Sequence, residues 1–278
     1  MVEIPVLHHV AEIGSARIGP RAQHSITPDR LLAYLESRRK FHTRLPEGEG
    51  GGNWLLPTFD DGYRNVLTEA VPLLERFGVQ AIVFITTGFI SGDAYPYELE
   101  LAAVVEHHEV LHVESTSRPV ESEKRSAKAE LYRRLRQPLK AKSHQAREVR
   151  LSQLSELNSY DRSRFQNEPF LSWEEIADLD RHPLVTIGAH THSHPVLTRR
   201  APWTVYREMV NSKQKLERIL GHGVRHFSYP YGRNNLLVRL LARLAGFEWA
   251  FTTEARCPEN IDECDSMALP RPEIHDLL

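Results

Sequence analysis

Residues 54–63 have the sequence Trp54-Leu55-Leu56-Pro57-Thr58-Phe59-Asp60-Asp61-Gly62-Tyr63. The apolar residues at the start of this stretch predict a short buried strand that ends at two acids. Residues 63–77 then have the spacing of a helix, and Gly78 is a typical residue at which a helix ends. A strand, a polar turn and a helix in this order are the repeating unit of an α/β protein with a parallel sheet.

The same unit recurs on both sides of this stretch. Residues 4–10 are predicted as a strand, and residues 28–41 as a helix that Thr27 caps. Further strands are predicted at 80–86, 184–189, 225–229 and 249–253, and further helices at 173–180, 202–220 and 235–245. In the helix at 173–180, Ser172 and Glu175 have the spacing of a capping box. The alternation predicts a parallel sheet, either open or closed into a barrel.

Residues 92–169 interrupt this alternation with a segment that has no clear strand. We interpret it as a mainly helical insertion within a single domain of residues 1–278. It carries a series of basic residues, namely Arg133, Arg134, Arg136, Lys140, Lys142, Arg147 and Arg150. Such a series is typical of a solvated helical hairpin, and the alternative is a lid or partner surface over the site.

Composition excludes several classes of protein. The chain has 278 residues and a formal net charge of -2, so its overall charge gives no argument for a nucleic-acid partner or an anionic membrane. Its longest apolar runs are too short to span a bilayer. The N-terminus has no secretory signal, so the default location is cytoplasmic, or extracytoplasmic if a leader has been removed. Cys257 and Cys264 do not form a disulfide framework.

A second polar motif follows the strand at 184–189 and reads Gly188-Ala189-His190-Thr191-His192-Ser193-His194-Pro195. One carboxylate of residues 60–61 with His190 and His194 forms a ligand set for a divalent metal that leaves positions open for water. The second carboxylate can then act as a base toward that water. Both motifs follow predicted strands, and active sites of parallel α/β folds collect at the carboxyl ends of strands. His192 is expected to point away.

On these motifs the chain resembles a polysaccharide deacetylase of the NodB-homology type, also called carbohydrate esterase family 4. Residues 58–62 match the first motif of the family and residues 190–195 match the second. Residues 227–232 resemble the third motif, and Leu269-Pro270-Arg271 resembles a C-terminal signature of one branch. Residues 6–10 resemble the leucine-tyrosine-histidine segment of that branch. The resemblance covers the chain except for residues 92–169.

The resemblance implies a distorted (β/α)7-type barrel and metal-dependent removal of N-acetyl groups, or alternatively O-acetyl groups, from a saccharide. It assigns Asp61, His190 and His194 as metal ligands and Asp60 as the general base. Tyr231 would donate its backbone N–H to the oxyanion of the tetrahedral intermediate. Zn²⁺ is the expected metal, and Co²⁺, Ni²⁺, Mn²⁺ and Fe²⁺ also suit these ligands.

Two supporting positions depart from the common family pattern. The histidine that protonates the leaving amine is expected at His9, as in the branch that this chain resembles, and the other candidate is His275 near the end of the chain. Ser228 stands where the third motif often has an arginine that orients the base. Arg271 is the hypothetical substitute for that charge.

The sequence therefore predicts an enzyme that acts on an acetylated saccharide. Two alternatives stay open at this stage. One is an amidohydrolase for a small cyclic imide or ureide, because relatives with the same barrel carry out that reaction. The other is a non-catalytic carbohydrate-binding relative, which the intact Asp60, Asp61, His190 and His194 argue against. The sequence does not indicate an oligomeric state.

Overall fold

A computed structural model gives the fold and describes residues 1–11, 18–43, 53–114, 119–140, 142–162 and 170–278. The strands are β1 (Val2–Glu3), β2 (Val6–Leu7), β3 (His9–Val10), β4 (Ser25–Ile26), β5 (Trp54–Leu55), β6 (Thr58–Phe59), β7 (Ala81–Ile85), β8 (Val110–Leu111), β9 (Val120–Glu121), β10 (Val185–Ala189), β11 (His226–Ser228) and β12 (Trp249–Phe251). The helices are α1 (Gly19–His24), α2 (Pro28–Ser37), α3 (Val71–Phe77), α4 (Thr87–Ser91), α5 (Tyr97–His107), α6 (Arg125–Lys140), α7 (His144–Leu157), α8 (Trp173–Asp180), α9 (Pro202–Leu220), α10 (Leu236–Leu244) and α11 (Ile274–Leu277).

The main sheet contains six parallel strands in the order β12-β11-β10-β7-β6-β2. Its central pair is β7 and β10, which run in register from Ala81 opposite Val185 to Ile85 opposite Ala189. Helices connect the parallel strands, and the sheet curls into a half-barrel. This architecture confirms the expected α/β class with a distorted barrel.

Apolar side chains cover both faces of the main sheet. All five residues of β7 are buried, as expected for a parallel strand that helices cover on either side. Gly188 in β10 lies against the Phe84 ring, and a Cβ atom at this position would come within 2.5 Å of two ring carbons. A glycine here therefore allows the two central strands to pack closely.

Most helix ends follow the predicted signals. Thr27 caps α2, and its hydroxyl accepts from Arg30 N at 3.3 Å. The capping box is formed, because Ser172 Oγ accepts from Glu175 N at 3.1 Å and Glu175 accepts from Ser172 N at 2.9 Å. Gly78 ends α3 with a φ of 62°. These contacts are local in sequence, which is why the pattern predicts them.

Some boundaries differ from the prediction. The predicted helix at 63–77 begins with a π-helical segment, Val66–Ala70, before α3. The predicted strand at 54–59 divides into β5 and β6 at Pro57, which has no N–H to continue the ladder. The glycine-rich loop at 47–52 lies outside the described residues.

The chain divides into two compact units. The barrel unit comprises Met1–Glu12, Ile26–Ala94 and Phe170–Leu278, and the insertion unit comprises Ile13–Ser25 and Tyr95–Pro169. The insertion unit has its own apolar core, formed by residues of α5, α6 and α7. It also contains an antiparallel pair of short strands, β8 and β9, so the prediction of a segment without strands was wrong.

The basic residues of the insertion unit do not form one solvated stripe. Arg147 is buried, and its Nε donates to the carbonyl oxygen of Leu139 at 3.0 Å. Arg136 lies 2.9 Å from Glu98, and Arg150 lies 2.7 Å from Glu114. These cations therefore hold the insertion unit together in part. None of the described helices is both long enough and apolar enough to cross a bilayer.

Candidate active site

The polar residues of the two motifs lie at one edge of the main sheet. Asp60 and Asp61 follow β6, Thr86 follows β7, and His190 follows β10. Because these strands are parallel neighbours, their carboxyl ends lie side by side. Ser228, the last residue of β11, extends the same edge. The edge therefore brings together side chains that lie up to 168 positions apart in the sequence.

Three of these side chains form a compact cluster of metal-ligand type. One ligand atom each from Asp61, His190 and His194 lies within 4.8 Å of the other two. His194 Nε2 is 3.6 Å and His190 Nε2 is 3.8 Å from Asp61 Oδ1. Asp61 and His190 are buried, and His194 is half-buried. A carboxylate oxygen and two imidazole nitrogens that converge on one point are a donor set that fits a divalent cation.

The hydrogen bonds of His190 fix the form of its ring. His190 Nδ1 lies 2.8 Å from the carbonyl oxygen of Ser228, which can only accept, so Nδ1 carries the proton. Nε2 therefore presents its lone pair toward Asp61 and His194. Burial lowers the pKa of His190 despite the nearby Asp60 carboxylate, which keeps the ring neutral as a ligand must be.

Left-handed backbone conformations concentrate around the cluster. Asp61, Thr191, His194 and Tyr231 have φ values of 73°, 65°, 50° and 60°. Non-glycine residues rarely adopt this region, and they keep it only where surrounding contacts enforce it. Here these conformations turn the chain sharply at the end of a strand, so that side chains of adjacent residues reach the same point.

The buried guanidinium of Arg271 binds the Asp60 carboxylate. Arg271 Nη1 donates to Asp60 Oδ1 at 2.9 Å, and Arg271 Nη2 donates to Oδ2 at 2.8 Å. Ser228 Oγ donates to Asp60 Oδ2 at 3.1 Å. Arg271 also donates to Thr58 Oγ1 and to the carbonyl oxygen of Thr252, both at 2.9 Å. Arg271 thus forms a bidentate pair with the Asp60 carboxylate, and the Ser228 hydroxyl is a third donor.

This pairing determines the charge of Asp60. Burial raises the pKa of the Asp60 carboxyl, but the positive charge of Arg271 and its hydrogen bonds to the carboxylate outweigh burial and hold that pKa well below its usual range. His8 contributes in the same direction. Asp60 is therefore ionised at neutral pH, and its Oδ2 lies 3.9 Å from His190 Nε2. A permanent carboxylate stands next to the ligand cluster.

The model of the polysaccharide deacetylase family matches residues 48–250. The chain belongs to this family. No curated protein matches the chain in sequence.

Solved structures of polysaccharide deacetylases share the fold. IcaB from Ammonifex degensii is 17% identical, with a TM-score of 0.61, and the match covers 98% of this chain and 91% of that one. The deacetylase PplD of Streptococcus pyogenes, solved with acetate, is 15% identical with a TM-score of 0.60, and the match covers 98% and 92%. The deacetylase domain of BpsB from Bordetella bronchiseptica is 16% identical with a TM-score of 0.56, over 98% and 95%.

The two histidines considered as proton donors have different surroundings in this polysaccharide deacetylase. His9 is the first residue of β3, two positions after β2, which pairs with the Asp60 strand β6. Asn65 Nδ2 lies 2.6 Å from His9 Nδ1. The His9 ring packs against Tyr63 at 4.3 Å between centroids. His275 lies in α11 and is exposed. His9 is therefore the histidine with a defined orientation close to the strand ends.

Two remaining residues of the second and third motifs lie at the rim of the site. The Tyr231 ring is 4.7 Å from the His194 ring, and its left-handed backbone lies in the loop after β11. His192 Nδ1 lies 3.1 Å from Thr87 Oγ1, and its ring is not part of the ligand cluster. Tyr231 therefore lies beside His194, and His192 contacts Thr87 outside the ligand cluster.

The loop of residues 190–195, here called the histidine loop, is held by a side chain that the sequence did not predict. Glu208 in α9 accepts from His192 N at 3.0 Å, from Ser193 N at 2.8 Å and from Ser193 Oγ at 2.7 Å. Gly88 N donates to the carbonyl oxygen of His192 at 2.8 Å. An acid on the half-buried face of a predicted amphipathic helix was the available signal for Glu208. Asn65 was missed as well, although it lies only three residues after the first motif.

Proposed function

We propose that this polysaccharide deacetylase is a metal-dependent hydrolase that removes N-acetyl groups from a saccharide, with O-acetyl groups as the alternative substrate. The observation that carries the proposal is the convergence of Asp61, His190 and His194 within 4.8 Å, next to an Asp60 carboxylate that Arg271 keeps ionised. Membership of the family supports the acetylated saccharide as the substrate class.

Asp61, His190 and His194 would hold the metal, and Zn²⁺ is the ion that we propose for one carboxylate and two imidazoles. Co²⁺, Ni²⁺, Mn²⁺ and Fe²⁺ suit the same donors. When bound, such an ion polarises the acetyl carbonyl and makes the attacking water more acidic. The protonation state of His190 supports this role, since its Nδ1–H is bound to the Ser228 carbonyl and its Nε2 faces the cluster.

Asp60 is the proposed general base. Its carboxylate takes the proton of the attacking water, and the Ser228 and Arg271 donors fix its orientation. Because Arg271 keeps the Asp60 carboxylate ionised, this group is in the protonation state that can accept a proton. Arg271 thus has two effects that we propose to be linked: it positions the base and keeps it ionised.

His9 is the proposed general acid, which gives a proton to the leaving nitrogen. Asn65 suits a partner of a ring that gains and loses a proton, because its amide N–H can donate to the neutral ring. After rotation, its carbonyl oxygen can accept from the protonated ring. The backbone N–H of Tyr231 is the proposed donor to the oxyanion.

The cyclic imide alternative came from relatives with the same barrel, and Ser228 in place of the family arginine was one feature that kept it open. Because Arg271 pairs with Asp60 from another position in the chain, that feature no longer favours the alternative. The assembled cluster argues in the same way against a non-catalytic relative.

The proposal is tested by acetate release from N-acetylglucosamine oligosaccharides after loading with Zn²⁺. We expect acetate release by the wild type and none by Asp60→Asn, with Glu254→Gln as an exposed acid-to-amide control that retains activity. Hydrolysis of a cyclic imide without release of acetate from any N- or O-acetylated saccharide would overturn the proposed substrate class. Equal acetate release by Asp60→Asn would overturn the role of the base.

A further inference from the structure

Among the residues that the structure describes, the helix α10 exposes a row of leucines. The exposed fractions are 83% for Leu236, 47% for Leu237, 53% for Leu240 and 62% for Leu244. Leu240 lies three residues after Leu237 and four after Leu236, and Leu244 lies four residues further on, so all four lie on one face of the helix. The opposite face carries Val238 and Ala242 into the core. A contiguous apolar face of this kind marks an interaction site rather than ordinary surface.

The helix α9 packs against α10, and each of the two helices follows one of two neighbouring parallel strands. Trp203, in the first turn of α9, is a further large apolar residue at the surface, with 68% of its area exposed.

Arginines border this face, and the helix segment itself carries no acid. Residues 233–246 contain Arg233, Arg239 and Arg243 and no aspartate or glutamate. Arg233 and Arg243 are exposed, and Arg239 lies 3.0 Å from Asp265. The net charge of -2 for the whole chain conceals this local excess of positive charge.

We propose that the exposed leucine face of α10 docks on an anionic lipid bilayer. Leucines that enter the acyl boundary and arginines that reach the headgroups are the arrangement of a helix that lies in the membrane interface. A second copy of the chain fits less well, because a symmetric pair of α10 helices would bring arginines against arginines. The negative charge of the bilayer instead complements the exposed Arg233 and Arg243.

This surface lies close to the site in the sequence and the fold. The helix α10 begins five residues after Tyr231, at the edge of the sheet where Asp61 and His190 lie. Docking through α10 therefore holds that edge near the headgroups. The inference does not depend on the proposed reaction, because it uses only the exposed face and its charge.

The test is co-sedimentation of the full chain with two kinds of vesicle, phosphatidylcholine alone and equal parts of phosphatidylcholine and phosphatidylglycerol. We expect binding to the mixed vesicles and little binding to the neutral ones. The triple variant Leu236→Gln, Leu240→Gln, Leu244→Gln should reduce the bound-to-free ratio at least about tenfold. Val149→Gln, which changes an exposed valine on α7, is the matched control and should bind like the wild type.

Three outcomes would overturn the inference. They are no binding of the wild type to the mixed vesicles, equal binding to both vesicle types, and binding that the triple variant retains. Size-exclusion chromatography over a range of protein concentrations tests whether a second copy of the chain binds this face instead. A dimer that the leucine substitutions dissociate, without vesicle binding, would assign this face to a second copy of the chain. Circular dichroism of each variant excludes unfolding as the cause of a loss.

Discussion

Replacement of Arg271 by methionine removes a buried cation and keeps a long side chain. The guanidinium is fully buried and donates to both carboxylate oxygens of Asp60, at 2.9 and 2.8 Å. Loss of one partner of a buried ion pair costs about 3–5 kcal/mol, because the other charge stays buried without compensation. The bonds of Arg271 to Thr58, Ser228 and Thr252 are lost as well. We therefore expect the free energy of unfolding at neutral pH to fall by an amount near the upper end of that range.

The loss should depend on pH, with a sign that follows from Asp60. In the wild type the pKa of Asp60 is depressed in the folded state. Its stabilisation is therefore complete above the unfolded value of about 4, and it is lost only as the pH falls through the lower folded value. In Arg271→Met, burial raises the pKa of Asp60 and the guanidinium that opposed this effect is gone. The folded variant then takes up a proton more readily, and its penalty shrinks as the pH falls from 7 toward about 4.

The assay is urea unfolding followed by tryptophan fluorescence at about pH 7 and about pH 5. Arg225→Met is the matched control, because it removes an arginine from an exposed pair with Glu248 at 3.5 Å. That exposed pair should contribute less than about 0.5 kcal/mol. If Arg271→Met were as stable as Arg225→Met, or if its loss did not change with pH, the assignment of a buried charge pair to Asp60 would be refuted.

Three further predictions concern the supports of the site. Gly88→Ala should reduce metal content, because its Cβ atom would lie 2.4 Å from the carbonyl oxygen of His192, whereas Gly223→Ala, with 3.7 Å to its nearest neighbour, should retain it in an elemental assay. Ser172→Ala should lower the free energy of unfolding by about 1 kcal/mol in a urea titration, and an unchanged value would contradict the capping box seen here. Asn65→Leu should lower kcat for acetate release about tenfold with little change in KM, and a loss confined to KM would contradict a role for Asn65 in orienting His9.

The features that the sequence predicted well are those whose cause is local. The strand before Asp60, the capping box of Ser172 and the helix end at Gly78 depend on residues within a few positions. The convergence of Asp61 with His190 was also predictable, because parallel strands place their carboxyl ends at one edge. The order of the motifs along the chain indicated which strands are followed by the candidate site residues.

The features that the sequence did not predict depend on contacts between distant segments. Glu208 braces the histidine loop from a neighbouring helix, and its sequence environment is that of an ordinary helical acid. Arg271 was only a hypothetical substitute for the missing arginine, because its distance to Asp60 is set by the packing of the last strand and the chain end. The β8–β9 pair was missed, since two-residue strands carry too little periodicity to detect.

Metal stoichiometry of matched carboxylate variants tests the central claim most directly. The wild type, Asp61→Asn and Asp60→Asn would be loaded with Zn²⁺, freed of excess metal by gel filtration and measured by elemental analysis. We predict one bound Zn²⁺ per chain in the wild type and in Asp60→Asn, and loss of that ion in Asp61→Asn. Retention of the ion in Asp61→Asn, or its equal loss from both variants, would contradict the assignment of Asp61 as ligand and Asp60 as base.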